Sequence, residues 1–215
     1  MSSHAEEPSS RAGSLPLVGG VLALDFCNTS SGRGTSGHVE HIVTIDHLVS
    51  WARHAAILDD QSEARLRAIV AADPELAARF LKRSLDVRDA IYKINATIAR
   101  ARKVDQADID VIANTHAACL TKGRLTTLDG TFGWSWQVES APEEVVLGPI
   151  VASAMALITA ADHGRLKQCE GHNCGWLFID TTKSSNRRWC EMDPCGNRAK
   201  QKRRRGRLRA EEVQS

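Results

Sequence analysis

The stretch that decides how this chain is read is CEGHNCGWLFIDTTKSSNRRWCEMDPCGNRAKQKRRRGR, Cys169–Arg207. It holds four of the six cysteines, Cys169, Cys174, Cys190 and Cys195, in the spacing C-x4-C-x15-C-x4-C. Two thiol pairs separated by a hairpin-sized insert suit a structural tetrahedral zinc site, because four thiolates close the shell and leave no position for catalysis. The four-residue spacer is wider than the commonest knuckle. Four free buried thiols, or an iron–sulfur cluster on the same ligands, therefore stay open as alternatives. In a reducing compartment, paired cysteines of this kind argue for metal. His172 lies inside the first pair and is a spare donor that four cysteines make unnecessary.

Around the thiols, WLFID (Trp176–Asp180) reads as a strand, TTKSSN as a turn, and RRW (Arg187–Trp189) as the returning strand. Asp193-Pro194 is a cap followed by proline, which opens a helix and puts Cys195 in its first turn, where the dipole favours a thiolate. Knuckle, hairpin and helix together predict a treble-clef-like finger. A module of roughly 45 residues cannot hold itself with an apolar core alone, and a bound metal contributing on the order of 10 kcal/mol is the usual remedy.

Charge divides the chain at the same place. Residues 1–163 carry 15 Lys+Arg against 20 Asp+Glu, whereas residues 164–209 carry 13 against 4. An acidic body with a basic module suits a polyanionic partner. The run PCGNRAKQKRRRGRLR predicts a short helix bearing Arg198, Lys200, Lys202, Arg203, Arg204, Arg205 and Arg207 on nearly every side, with Arg187 and Arg188 extending the footprint from the hairpin. Such a ladder of like charge is stabilised by phosphates, with affinity that falls as salt rises. Asn197 suits hydrogen bonding within the finger better than base reading. The run lacks the interleaved apolar residues of a membrane-surface helix. RNA, or a protein docked on the finger, competes with duplex DNA as partner.

Upstream, the sequence predicts an α+β body, mostly helical with a small antiparallel sheet. Its bounds are residues 16–163, between a flexible arm at 1–15 and the finger at 164–215. VLALDFCNT (Val21–Thr29) reads as a strand and SSGRGTSG as a loop. Asp46 and Asp60 read as caps of two helices, and Asp73-Pro74 opens a long amphipathic one. Asp105 opens another, to about Leu120. Alternation around Asp129-Gly130 predicts a β-hairpin over Arg124–Glu139. Val145–Ala161 is uncharged but contains Gly-Pro and many Ala, which fits a buried core helix better than a membrane span. The polar N-terminus has no secretory core, so a cytoplasmic, nucleoid-associated location is expected.

The cysteine segment, C-x4-CGWLFID…S-x-NRRWC-x4-CGNRAK, resembles the CGNR zinc-finger family of bacterial proteins, with Cys195-Gly196-Asn197-Arg198 as the eponymous tetrapeptide. The upstream body, opening Leu24-Asp25-Phe26-Cys27-Asn28-Thr29, is similar to the ABATE domain that usually precedes this finger, whose usual form is close to LDFVNT. The resemblance implies a stress-induced transcription regulator. The expected function is duplex DNA binding through a structural Zn2+ finger, with the body as sensor or dimerisation module, in a homodimer and with a small-molecule effector. Asp25, Asn28, Trp134 and Trp136 are the candidate pocket residues; the alternatives are a dimer seam or core packing for the tryptophans, and bonding to backbone groups at the strand's end for Asp25 and Asn28. Catalysis is not expected: His38, His41 and Asp46 match no mechanism, and no H-E-x-x-H, phosphate loop or G-x-S-x-G occurs. Cys27 and Cys119 read as ordinary buried thiols.

Overall fold

The computed structural model describes residues 10–128, 130–198 and 200–201. Six helices form the body: α1 (Leu22–Cys27), α2 (Ile45–His54), α3 (Asp60–Ala72), α4 (Pro74–Ile98), α5 (Gln106–Lys122) and α6 (Glu144–Ile158). Three antiparallel pairs accompany them: β1 (Ser30–Ser31) with β2 (Val39–Glu40), β3 (Arg124–Leu128) with β4 (Thr131–Ser135), and β5 (Leu166–Gln168) with β6 (Leu177–Ile179). The fold is α+β, as expected.

Local chemistry explains where the helices begin. The Asp73 side chain accepts from the Leu76 N–H at 2.9 Å, ahead of Pro74 in the first turn of α4. Asp105 caps α5 in the same way, accepting from Ala107 N–H at 3.1 Å. Two caps fall beside their expected places. Thr44, not Asp46, caps α2, in a reciprocal box with His47, while Asp46 pairs with Arg67 at 2.8 Å. Asp59, not Asp60, caps α3 by accepting from Ser62 N–H at 2.7 Å.

The first apolar run is a helix rather than the expected strand. Ala23, Leu24, Phe26 and Cys27 are buried and Leu22 and Asp25 half-buried, and so short and largely covered a run has no period by which sequence alone separates strand from helix. The preceding Gly19-Gly20 turn sets the choice. Asp25 reaches back to accept the Gly19 N–H at 2.7 Å, and a Cβ on Gly19 would meet Leu24 and Asp25 at 2.8 Å.

Helix α4 runs through the middle of the body, packed against α1, α2, α3, α5 and α6. The uncharged helix α6 is a core helix: Val145, Val146, Leu147, Ile150, Val151 and Ala154 are buried. Its Gly148-Pro149 step is the seat of Trp136, whose ring lies where a Gly148 Cβ would be, 2.5 Å away. No helix among the described residues is long and apolar enough to cross a membrane.

The finger is built onto this body. Leu166 and Leu177 pack with Leu24 and Ala96, and the buried Asn28 side chain pairs with the backbone of Leu177, donating to its carbonyl and accepting from its N–H, each at 2.9 Å. The N-terminal segment also belongs here. Ala12 lies in a 3-10 turn (Ala12–Ser14), and both it and Leu15 are buried, Leu15 against Cys169, Trp176, Phe178, Cys190 and Cys195. Of the arm expected over 1–15, Ala12 and Leu15 are packed while Arg11, Gly13 and Ser14 are exposed, and residues 1–9 lie outside the described residues.

Candidate metal centre

The sulfurs of Cys169, Cys174, Cys190 and Cys195 lie within 4.8 Å of one another, the one cluster of potential metal ligands among the described residues. Cys174 and Cys190 are 3.7 Å apart, and Cys190 and Cys195 3.8 Å. A Zn–S bond of about 2.3 Å gives a tetrahedral edge of about 3.8 Å. The donors thus fit a single structural zinc ion. An iron–sulfur cluster interposes iron and sulfide between its thiolates and holds them further apart.

Each pair sits on a tight turn. The first knuckle hangs from the end of β5: Cys169 N–H donates to the Trp176 carbonyl at 2.7 Å, and Cys174 N–H to the Gly171 carbonyl at 3.1 Å. The Gly171 and Cys190 N–H groups each point at the Cys169 sulfur at 3.3 Å, orienting it and taking up part of its charge. Only glycine fits at 171, since a Cβ there would meet the Cys195 sulfur at 2.8 Å. Without metal, hydrogen bonds from the Cys174 and Cys190 sulfhydryls hold the Cys169 thiol well below its ordinary value, while the bond Cys190 gives to Cys169 helps hold its own proton on. A bound zinc ion would displace these protons and be held by the four cysteines as thiolates. By contrast, burial pushes the Cys27 thiol up to about 12 and the Cys119 thiol to about 11, as suits inert core residues.

The hairpin differs from the expected one. Strand β6 pairs with β5 upstream, not with Arg187–Trp189. The returning segment is held by other means: Glu170 N–H donates to the Arg188 carbonyl at 3.0 Å, and Asp180, fully buried, organises the intervening turn. Its carboxylate accepts from Thr182 N–H at 2.9 Å, Thr182 hydroxyl at 2.6 Å and Arg187 N–H at 2.8 Å, and these bonds, the Thr182 hydroxyl first, hold its pKa below the usual range. Asp193 is extended, as the residue before proline prefers, and Cys195 lies in a single wide turn, Met192–Gly196, that opens the basic helix.

The body grips the first knuckle. Gly32 N–H donates to the Cys174 carbonyl at 2.7 Å, and Trp176 Nε1 to the Ser31 hydroxyl at 3.2 Å. Gly32 is left-handed at φ 61°, and a Cβ there would meet the Gly37 carbonyl oxygen at 2.5 Å. Tyr92 donates to the Gly175 carbonyl at 3.2 Å and accepts from Gln168 at 2.8 Å. A cleft of about 560 Å³ opens where arm, loop and knuckle meet, with Arg11, His41, His172 and Arg198 on its walls.

The expected nucleic-acid residues separate into three groups. Arg198 and Lys200 are exposed at the start of the basic helix. Arg187 is turned inward: its guanidinium lies over Phe178 at 4.5 Å and donates to the carbonyls of Trp189, at 2.8 Å, and Cys190. Arg188 pairs with Glu170 and lies over Trp189 at 5.4 Å. Lys202, Arg203, Arg204, Arg205 and Arg207 lie outside the described residues. Asn197 donates to Asp193, within the turn that carries Cys195.

The expected pocket residues are not brought together. Asp25 closes the Gly19 turn and Asn28 is spent on Leu177, whereas Trp136 donates to the Cys119 carbonyl at 2.7 Å and Trp134 is 42% exposed. None of the four lines the cleft between arm, loop and knuckle. Three histidines have local duties: His38 bonds Ser30 at 2.9 Å, His47 accepts from the Thr44 N–H in the α2 capping box, and His54 bonds the Leu15 carbonyl at 2.7 Å. Sequence reasoning missed Asp180, Tyr92 and Gln168 as supports of the site, while for Asn28 its alternative of backbone bonding holds, with Leu177 as the partner. Only Asp180, two residues before Thr182 in a D-x-T turn, carried a readable signal.

A compact four-thiolate centre with Arg198 and Lys200 exposed directly beyond it defines a zinc-finger protein. The chain belongs to the ABATE family, described as "Putative stress-induced transcription regulator", which matches residues 20–161, and it carries a CGNR zinc finger over residues 165–208. Neither description is that of an enzyme. A search of curated proteins finds no match.

Proposed function

We propose that this protein is a transcription regulator that binds duplex DNA through its zinc-held finger, in the cytoplasm and on the nucleoid. The observation that carries this reading is the placement of Arg198 and Lys200. Both are exposed immediately beyond the zinc ligand Cys195, where the chain enters its densest run of Arg and Lys. Zinc would hold the start of that segment at a fixed angle to the body, and the arginines and lysines would neutralise phosphates along a groove. Arg11 and Arg198 face the same cleft, which extends the positive surface from the finger onto the arm. Asn197, held by Asp193, supports the turn and is not assigned to base reading. The body would act as the sensor.

The test is fluorescence anisotropy of a labelled duplex, with single-stranded RNA of equal length as competitor. Replacing Arg198 and Lys200 by Ala is expected to lower the slope of log K against log salt by about 2, near 0.9 per phosphate contact. An unchanged slope removes these residues from the interface. Preferential displacement by RNA replaces duplex DNA with RNA as the partner.

A further inference from the structure

The β3–β4 hairpin reverses the usual arrangement of a half-covered sheet. Leu125 pairs with Trp134 and Thr127 with Phe132, so these four side chains share one face. That face points outward, with Leu125 60%, Phe132 81% and Trp134 42% exposed. On the other face Thr126, Gly133 and Ser135 are half-buried, while Arg124 and Thr131 are exposed. Antiparallel hairpins normally place apolar residues inward and polar ones outward. Nor do the strands carry the usual defences of an exposed edge: both lack proline, and Arg124 is their one charged residue. A two-stranded hairpin with its apolar face in water is marginally stable.

We propose that this face is the seam of a homodimer, covered by the same hairpin of a second copy across a two-fold axis. At the stated exposures, Leu125, Phe132 and Trp134 offer on the order of 400 Å² of apolar surface per copy. Two copies bury roughly 800 Å² from these side chains alone, and Thr127 and the strand backbones bring the contact towards the ~1,200 Å² at which specific interfaces begin. The patch centre has no charge that would select a different partner, and an isologous contact needs none. Its near-neutrality also sets it apart from the positive surface of the finger. The dimer therefore does not depend on the DNA reading, although it would give one assembly two fingers.

The experiment is sedimentation velocity on the full, zinc-loaded, nuclease-treated chain from ~1 to ~100 μM, a range that reports micromolar affinities. The expected result is a dimer that Phe132→Asp, and separately Leu125→Asp, weakens at least 100-fold, with circular dichroism and zinc content unchanged because both side chains are exposed. A chain that is monomeric over the whole range overturns the proposal. So does a dimer that both variants leave intact, since its seam would lie elsewhere.

Discussion

Asn28 provides the sharpest perturbation of the joint between body and finger. Its side chain is 2% exposed and makes two hydrogen bonds of 2.9 Å to the backbone of Leu177, itself fully buried. In Asn28→Ala the Leu177 N–H and carbonyl both lose their partner where water has little access. Each stranded group costs about 1–3 kcal/mol, giving about 2–6 kcal/mol for the pair. That is a large share of the 5–15 kcal/mol typical of a folded domain. Asn28→Asp keeps the acceptor but sets a carboxylate oxygen against the Leu177 carbonyl, so it is expected to cost at least as much. The assay is urea denaturation of the zinc-saturated protein followed by circular dichroism, with released zinc measured in parallel. Because β6 carries Phe178 beside the thiolates, zinc is expected to leave the variant at lower urea than it leaves the wild type. A loss of stability below ~0.5 kcal/mol, the size of an ordinary surface substitution, would refute the reasoning.

Three further outcomes are expected. Gly171→Ala should weaken zinc binding at least tenfold in a chelator competition, since its Cβ would sit 2.8 Å from the Cys195 sulfur. Arg88→Met should destabilise the body by about 3–5 kcal/mol in urea, because Arg88 is buried and makes a two-pronged pair with Glu40 at 2.7 and 2.6 Å. Asp25→Asn tests a titration. Burial raises the Asp25 carboxyl from 3.8 to about 6, above its value in the unfolded chain, so the stability it contributes is full below pH ~4 and is lost as pH rises through about 6. The variant keeps the acceptor for Gly19 and does not ionise. It should therefore match wild type near pH 4 and exceed it at pH 7.5 by ~1–2 kcal/mol, the ~3 kcal/mol of the full shift reduced by solvent screening of this partly exposed group, in paired urea midpoints.

The parts of this structure that sequence revealed are those whose cause is local. Asp73-Pro74 and Asp105 place their helices because cap and first turn are adjacent in sequence. The β3–β4 hairpin follows from alternation about Asp129-Gly130. The four cysteines announce their centre by spacing, because zinc requires four donors and few other uses of cysteine repeat a pair. Long-range causes were hidden. Leu22–Cys27 became a helix because of how the Gly19 turn and Asp25 lock together, and four of its six residues are buried, which hides any period. Strand β6 found β5 rather than Arg187–Trp189 because Leu177 and Leu166 share a core with Leu24 and Ala96. Arg187 reads as a surface cation, yet Phe178 and two knuckle carbonyls draw it inward. Trp134 and Trp136, two residues apart, share a face by alternation, but Gly148 gives one a seat and the other stays at the surface.

The central claim is that zinc orders the finger so that its basic segment meets duplex DNA as a folded surface. The most direct measurement compares zinc-loaded and chelator-stripped protein on the same labelled duplex across a salt series. The account predicts a steep log–log slope for the loaded protein, and binding that collapses when zinc is removed and returns when it is restored. Binding that keeps its slope without zinc would contradict the account, because the Arg and Lys run would then act as a loose polycation and the metal centre would play no part in reading DNA.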